Sequence, residues 1–256
     1  MHVTGRRAGA RLVDALAAGR QDRRADHHPG LGRVAGACRQ GPRGEYGAGG
    51  ALDAPWLDWT KGDRRITVVD AATYEQVKVI DMRERLDAIG LGDHSDAVRP
   101  AAFSPDESKL YFQVSFFNGF FEYDIATDRI ARTKTLPKNP ATSEDRTTWV
   151  NDSRHHGISM NPDGTKLCVA GTMDDYATVV DRASLREGAL VAAAKPYWAT
   201  VSGDGTHCVV SESGADQVTA IDFATGEKSV SVPVGDHPQR VRIGHVAADW
   251  TGPSAG

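Results

Sequence analysis

Asn161-Pro162-Asp163-Gly164-Thr165-Lys166-Leu167-Cys168-Val169-Ala170 decides the fold, because its opening turn recurs at a fixed distance from a second marker. Eighteen residues after Asp163 stands Asp181-Arg182-Ala183-Ser184. The same interval separates Asp106 of Ser104-Pro105-Asp106-Glu107 from Asp124-Ile125-Ala126-Thr127, and Asp204 of Ser202-Gly203-Asp204-Gly205 from Asp222-Phe223-Ala224-Thr225. A fourth copy of the second marker, Asp70-Ala71-Ala72-Thr73, has no first marker ahead of it. A constant gap between two turn signals means one structural unit copied along the chain.

The runs Leu110–Val114, Leu167–Ala170 and Cys208–Ser211 are β-rich, and each leads through a polar turn into a second run ending at Tyr123, Val180 or Ile221. Two short strands joined in this way make a hairpin. A third strand precedes each first marker, as in Gly157–Met160 and Ala199–Val201, and a fourth follows the second marker, as in Gln76–Ile80 and Glu227–Val232. The unit is therefore a four-stranded antiparallel meander, and the chain an all-β β-propeller of such blades, incomplete at about three and a half. Asp-Gly supplies the positive φ of a tight turn, and the aspartates of both markers accept backbone amides a few residues on, so these acids are turn chemistry and not catalysts.

Successive second markers lie 54, 57 and 41 residues apart, so the first two intervals carry insertions. One falls at Asp81–Val98, where Met82–Ile89 is expected to be helical; the other, Pro137–Ser153, is polar. Both join the last strand of one blade to the first of the next, where functional loops gather.

Residues 1–50 hold nine arginines, four acids and no lysine, a charge of +5 that leaves −9 for the remainder. This segment is rich in Gly, Ala and Arg, lacks Ile, Phe and Trp, and shows no lasting periodicity. The predicted organisation is a disordered or non-native leader at 1–62, a partial propeller at 63–246 and a tail at 247–256. The abrupt start of the repeat in the third strand of a blade suggests truncation or a shifted reading frame. The leader's arginines are diffuse and not interleaved with aromatics, which argues against a nucleic-acid arm. No apolar run is long enough for a membrane span, and Leu12–Ala18 is interrupted by Asp14, so no signal peptide is visible. Cys168 lies five residues past its turn aspartate and Cys208 four past its own, which puts them on opposite sides of equivalent strands; no disulfide is expected between them.

Val232-Pro233-Val234-Gly235-Asp236-His237-Pro238, the Pro-Asp-Gly turns, and the strand endings Val180-Asp181 and Ile221-Asp222 resemble the YVTN-type propeller repeat of YncE-like and lactonase-like proteins. The resemblance covers 64–246. It implies a ligand-binding or protein-interaction module, with a sugar-lactone hydrolase as the alternative and a redox-cofactor propeller as a more distant one. It also implies an extracytoplasmic location.

Phosphate loops, HExxH, CxxC, GxSxG and SxxK motifs are all missing from the sequence, so any activity must come from residues that the blades bring together. Alignment on the first markers puts Arg99, His156, Tyr197 and Gln239 in one position at the start of the innermost strands. With Trp198 as a stacking surface, they form the expected site for a small polar ligand, anionic or polyhydroxylated, or for a protein partner. Arg154-His155-His156-Gly157 resembles the segment that lactonase-like propellers place before a strand, so Arg154, His155, His156 and Glu212 are the catalytic candidates under the hydrolase alternative. His155 and His156 are adjacent on a strand and face opposite ways, so they do not form a metal site; no metal and no cofactor is expected. Phe116, Phe117, Phe120 and Phe121 flank the Asn118-Gly119 turn and are a candidate interaction surface.

Overall fold

The computed structural model describes residues 37–38, 65–69, 74–92, 97–149 and 153–244. The rest of the leader, the Asp70 marker, His94, His245 and the 247–256 tail lie outside the described residues. Among the described residues fifteen strands form four sheets. Strands β1 (Ala37–Cys38), β2 (Arg65–Val69) and β3 (Gln76–Asp81) make the first sheet, so two residues of the leader pair with the repeat region.

The second sheet runs in order through β4 (Val98–Phe103), β5 (Lys109–Val114), β6 (Gly119–Asp124) and β7 (Arg129–Thr135). The third comprises β8 (Gly157–Met160), β9 (Lys166–Gly171), β10 (Tyr176–Asp181) and β11 (Glu187–Ala192). In the fourth are β12 (Pro196–Val201), β13 (His207–Glu212), β14 (Gln217–Asp222) and β15 (Lys228–Pro233). Each is an antiparallel meander, and the sheets stack as the unclosed blades of a propeller-like fold.

The markers act as turns in every described copy. Asp106, Asp163 and Asp204 accept the amides of Ser108, Thr165 and Thr206 at 3.2, 2.8 and 3.0 Å. Asp124, Asp181 and Asp222 accept those of Thr127, Ser184 and Thr225, three residues ahead, at 2.8, 2.9 and 2.9 Å. Gly164 and Gly205 have φ of 75° and 79°, a conformation that glycine adopts without steric cost; Glu107 takes the same position at 56°. The recurrent proline has a second role: a Cβ on Gly164 would come within 2.6 Å of Pro105, and one on Gly205 within 2.6 Å of Pro162. In the third and fourth sheets the turn glycine is thus seated on the turn proline of the blade before it.

Three apolar layers hold the sheets together. Ile66, Val68 and Ile80 pack on Leu110, Phe112, Val114 and Phe121, with Met82 and Leu86 of helix α1 (Met82–Asp87) closing one side. Asp81 caps that helix, accepting the amide of Arg83 at 2.9 Å. Tyr111, Phe120 and Leu136 meet Ile158, Leu167, Val169 and Val180 between the second and third sheets. Cys168, Ala170 and Val179 meet Ala199, Cys208, Val210 and Ile221 between the third and fourth. Phe117, Phe120 and Phe121 are buried in these layers and Phe116 packs against Trp149 at 5.7 Å, so the phenylalanine-rich turn is core and not a docking surface.

Cys168 and Cys208 form a disulfide, contrary to the sequence expectation. Opposite faces are what successive blades turn to one another: one blade presents its forward face to the backward face of the next. The one-residue offset between the cysteines therefore brings them together, with a Cα–Cα distance of 6.2 Å.

Candidate functional site

Arg99, His156 and Tyr197 stand at the start of three neighbouring inner strands, and the register is irregular at two of the three. Pro196 lies opposite Glu212 and Trp198 opposite Ser211, which leaves Tyr197 as an extra residue; the pairing of β4 with β5 also shifts between Val98 and Ala101. A bulge turns its side chain away from the pleat. Tyr197 stacks on His156 with ring centroids 4.2 Å apart and planes at 17°. The Tyr197 carbonyl lies 3.3 Å from His156 Nδ1, and its hydroxyl 3.4 Å from Nε2. Arg99 Nε donates to Ser115 Oγ at 2.6 Å. Burial, with help from the charges of Arg99 and Arg240, pulls His156 down to about 3, so the ring is neutral at ordinary pH.

Trp198 joins this group from the next position, 6.0 Å from His156. The guanidinium of Arg240 lies 5.7 Å from its ring centroid and that of Arg242 4.6 Å. Gln239 contributes its backbone: its carbonyl accepts from Ser211 Oγ, which itself accepts the Trp198 amide at 3.1 Å. The residues aligned in the sequence are thus gathered at one end of the inner strands.

Arg154 and His155 turn the other way, into a closed network under the Pro137–Ser153 insertion. Arg154 is 1% exposed and grips Asp174 through Nε at 3.1 Å and Nη2 at 2.7 Å, while Nη1 reaches Glu144 on the insertion at 3.0 Å. Its guanidinium also covers Trp149, at 5.3 Å. Asp174 accepts the Asn139 amide at 2.9 Å, and Thr142 donates to the Met173 carbonyl at 2.5 Å, so the loop is bonded to the residues it covers. Burial works to raise the Asp174 carboxyl, but the bonds from His155, Arg154 and Asn139 hold it at about 2.

His155 is fully buried. Its Nε2 faces Asn118 Oδ1 at 2.7 Å and Asp174 Oδ2 at 3.2 Å. Both are acceptors, since the Asn118 amide nitrogen is committed to the Leu136 carbonyl; the ring proton therefore belongs on Nε2, and Nδ1 is a buried acceptor with no partner. Burial outweighs the pull of Asp174 and lowers the pKa of His155. A histidine beside an orienting carboxylate has the form of a base, but this one is sealed from water.

Glu212, the fourth catalytic candidate, bonds within and beside its own sheet: Oε2 accepts the Ala194 amide at 2.8 Å and Oε1 accepts from Thr219. The four candidates thus divide between the clasp, the stacked histidine and a separate bonding group.

Asp174, Asn118, Glu144, Arg240 and Arg242 were not singled out in the sequence. Asn118 carried a signal, because it occupies the repeat position of Asp175 and Asp216. Those aspartates accept the amides of Lys195 and His237, each preceding a proline at the entry to an inner strand, at 3.0 and 2.9 Å. Asn118 serves His155 instead, at the junction where the insertion intervenes. The same device gathers Asp216, Asp236 and His237, whose ligand atoms lie within 4.8 Å of one another on the surface.

No protein-family model and no curated protein matches this sequence. Among solved structures the chain is similar to hydrazine synthase of Kuenenia stuttgartiensis, at 21% identity and a TM-score of 0.45, over 54% of this chain and 36% of that one. It therefore spans about a third of that protein's length, and the overlap carries no statement about activity.

Proposed function

We propose that this chain is a YVTN/YncE-like propeller module that binds a small polar ligand where its inner strands begin. The observation that carries this reading is the convergence of Arg99, His156, Tyr197 and Trp198 from three strands far apart in sequence, beside the exposed Arg240. Binding is favoured over sugar-lactone hydrolysis because the groups that would polarise the lactone and activate water are engaged in separate structural bonds. The Cys168–Cys208 disulfide supports an oxidising, extracytoplasmic location.

Calorimetric titration of the full chain with glucose, gluconate, citrate and inorganic phosphate, alongside a gluconolactone hydrolysis assay, tests the reading. Saturable binding of at least one ligand, weakened at least tenfold in Trp198→Ala, is expected, with no lactone turnover. Turnover that disappears in His155→Ala would overturn it in favour of the hydrolase.

A further inference from the structure

Two polar atoms at the inner-strand end are buried without a hydrogen-bond partner: Arg99 Nη2 and Trp198 Nε1. Both can only donate. A neutral polyol brings donors as well as acceptors, whereas orphan donors alone call for a ligand that offers lone pairs and little else. The electrostatics point the same way. Arg99 and Arg240 both act on His156 as positive charges, and Arg99 Nε bonds the neutral hydroxyl of Ser115. His156 itself remains neutral, so the positive field belongs to the guanidiniums.

Access follows from exposure. Arg240 and Arg242 are exposed side chains that overlie the indole, and their long stems allow the heads to turn outward while the stems stay on the ring. An arriving oxyanion would be met by fork-shaped donors suited to carboxylate or phosphate. Resting on the binding-module reading above, we infer that the site formed by Arg99, Trp198 and Arg240 is selective for an oxyanion: a small organic acid or phosphate ester and not a neutral sugar.

The probes are trisodium citrate, inorganic phosphate and glucose, titrated into the full chain by calorimetry at low and moderate salt. Citrate or phosphate is expected to bind, at least tenfold more weakly in Arg240→Gln and in Arg99→Gln, and more weakly as salt rises. Trp198→Phe keeps the ring but removes the donor, and should weaken the anion severalfold. Arg129→Gln, an exposed arginine outside this group, should leave affinity unchanged. If Arg99→Gln fails to fold, the exposed Arg240 carries the test. Glucose binding without citrate or phosphate binding would overturn the anion assignment and leave the binding module standing. Anion binding that is equal in Arg240→Gln and Arg129→Gln would overturn the site, and failure of every probe would overturn both readings.

Discussion

His155 and His156 are neighbours in the chain and have opposite fates. His155 faces the second sheet, where Asn118, Asp174 and the clasped insertion enclose it; His156 faces the fourth, stacks on Tyr197 and borders an open rim of arginines. Both rings are held neutral by burial, so ionisation does not distinguish them. What does is the closure of their surroundings. Around His155 the bonds of Asn118, Asp174 and Arg154 close on one another and the one unpartnered ring atom is an acceptor sealed from water, whereas beside His156 the unsatisfied atoms are donors next to exposed guanidiniums. The alternation of a single strand thus assigns one histidine to the scaffold and the next to the surface that can meet a ligand.

Removing the centre of the clasp should have the largest effect. Asp174→Asn leaves Arg154 buried with only Glu144 to pair it, and should cost about 3–5 kcal/mol in urea unfolding while ligand affinity of the folded fraction is unchanged. Reducing the Cys168–Cys208 bond releases a cross-link between residues 40 apart and should cost roughly 3–4 kcal/mol, lowering the melting temperature in dithiothreitol.

Acid should act on both histidines. Each has a folded-state pKa below its unfolded value, so below about pH 6.5 the unfolded chain takes up protons that the native chain refuses. Stability should therefore fall as pH drops from 6.5 toward 4, with His156, held at about 3, contributing about 1.4 kcal/mol per unit and His155 adding to the fall. His156→Phe should remove about 1.4 kcal/mol per unit from that slope in denaturation measured across the range. A slope that does not change would place the titrating group elsewhere. The smallest effect belongs to a position outside both regions: Glu107→Gly relieves a positive φ and should stabilise by about 0.5 kcal/mol, visible as a small rise in the urea midpoint.

The blades were legible because their turns recur in kind and interval, and turn chemistry is local. Asp163 needs only its own neighbours to close Thr165 onto it. Alignment of the copies likewise brought out Arg99, His156, Tyr197 and Gln239, since a repeat position is a spatial position. The disulfide was misread because the alternation of a strand describes one sheet, whereas Cys168 and Cys208 meet across two. The clasp was illegible for a related reason. Glu144 and Arg154 lie in a segment with no counterpart in the other blades, and Asp174 acquires its role only when that segment folds over it. Arg240 and Arg242 follow the last complete blade, where no further marker fixes a register.

Side-chain nitrogen NMR of the histidine-labelled chain, recorded from pH 4.5 to 8 with and without citrate, tests the contrast between the two rings most directly. His156 should remain neutral throughout, His155 should be the Nε2-protonated tautomer at neutral pH with its titration displaced below the usual histidine range, and citrate should shift only the His156 resonances. A His155 ring that titrates near pH 6.5, or that responds to citrate while His156 does not, would contradict the assignment of one histidine to the scaffold and the other to the binding site.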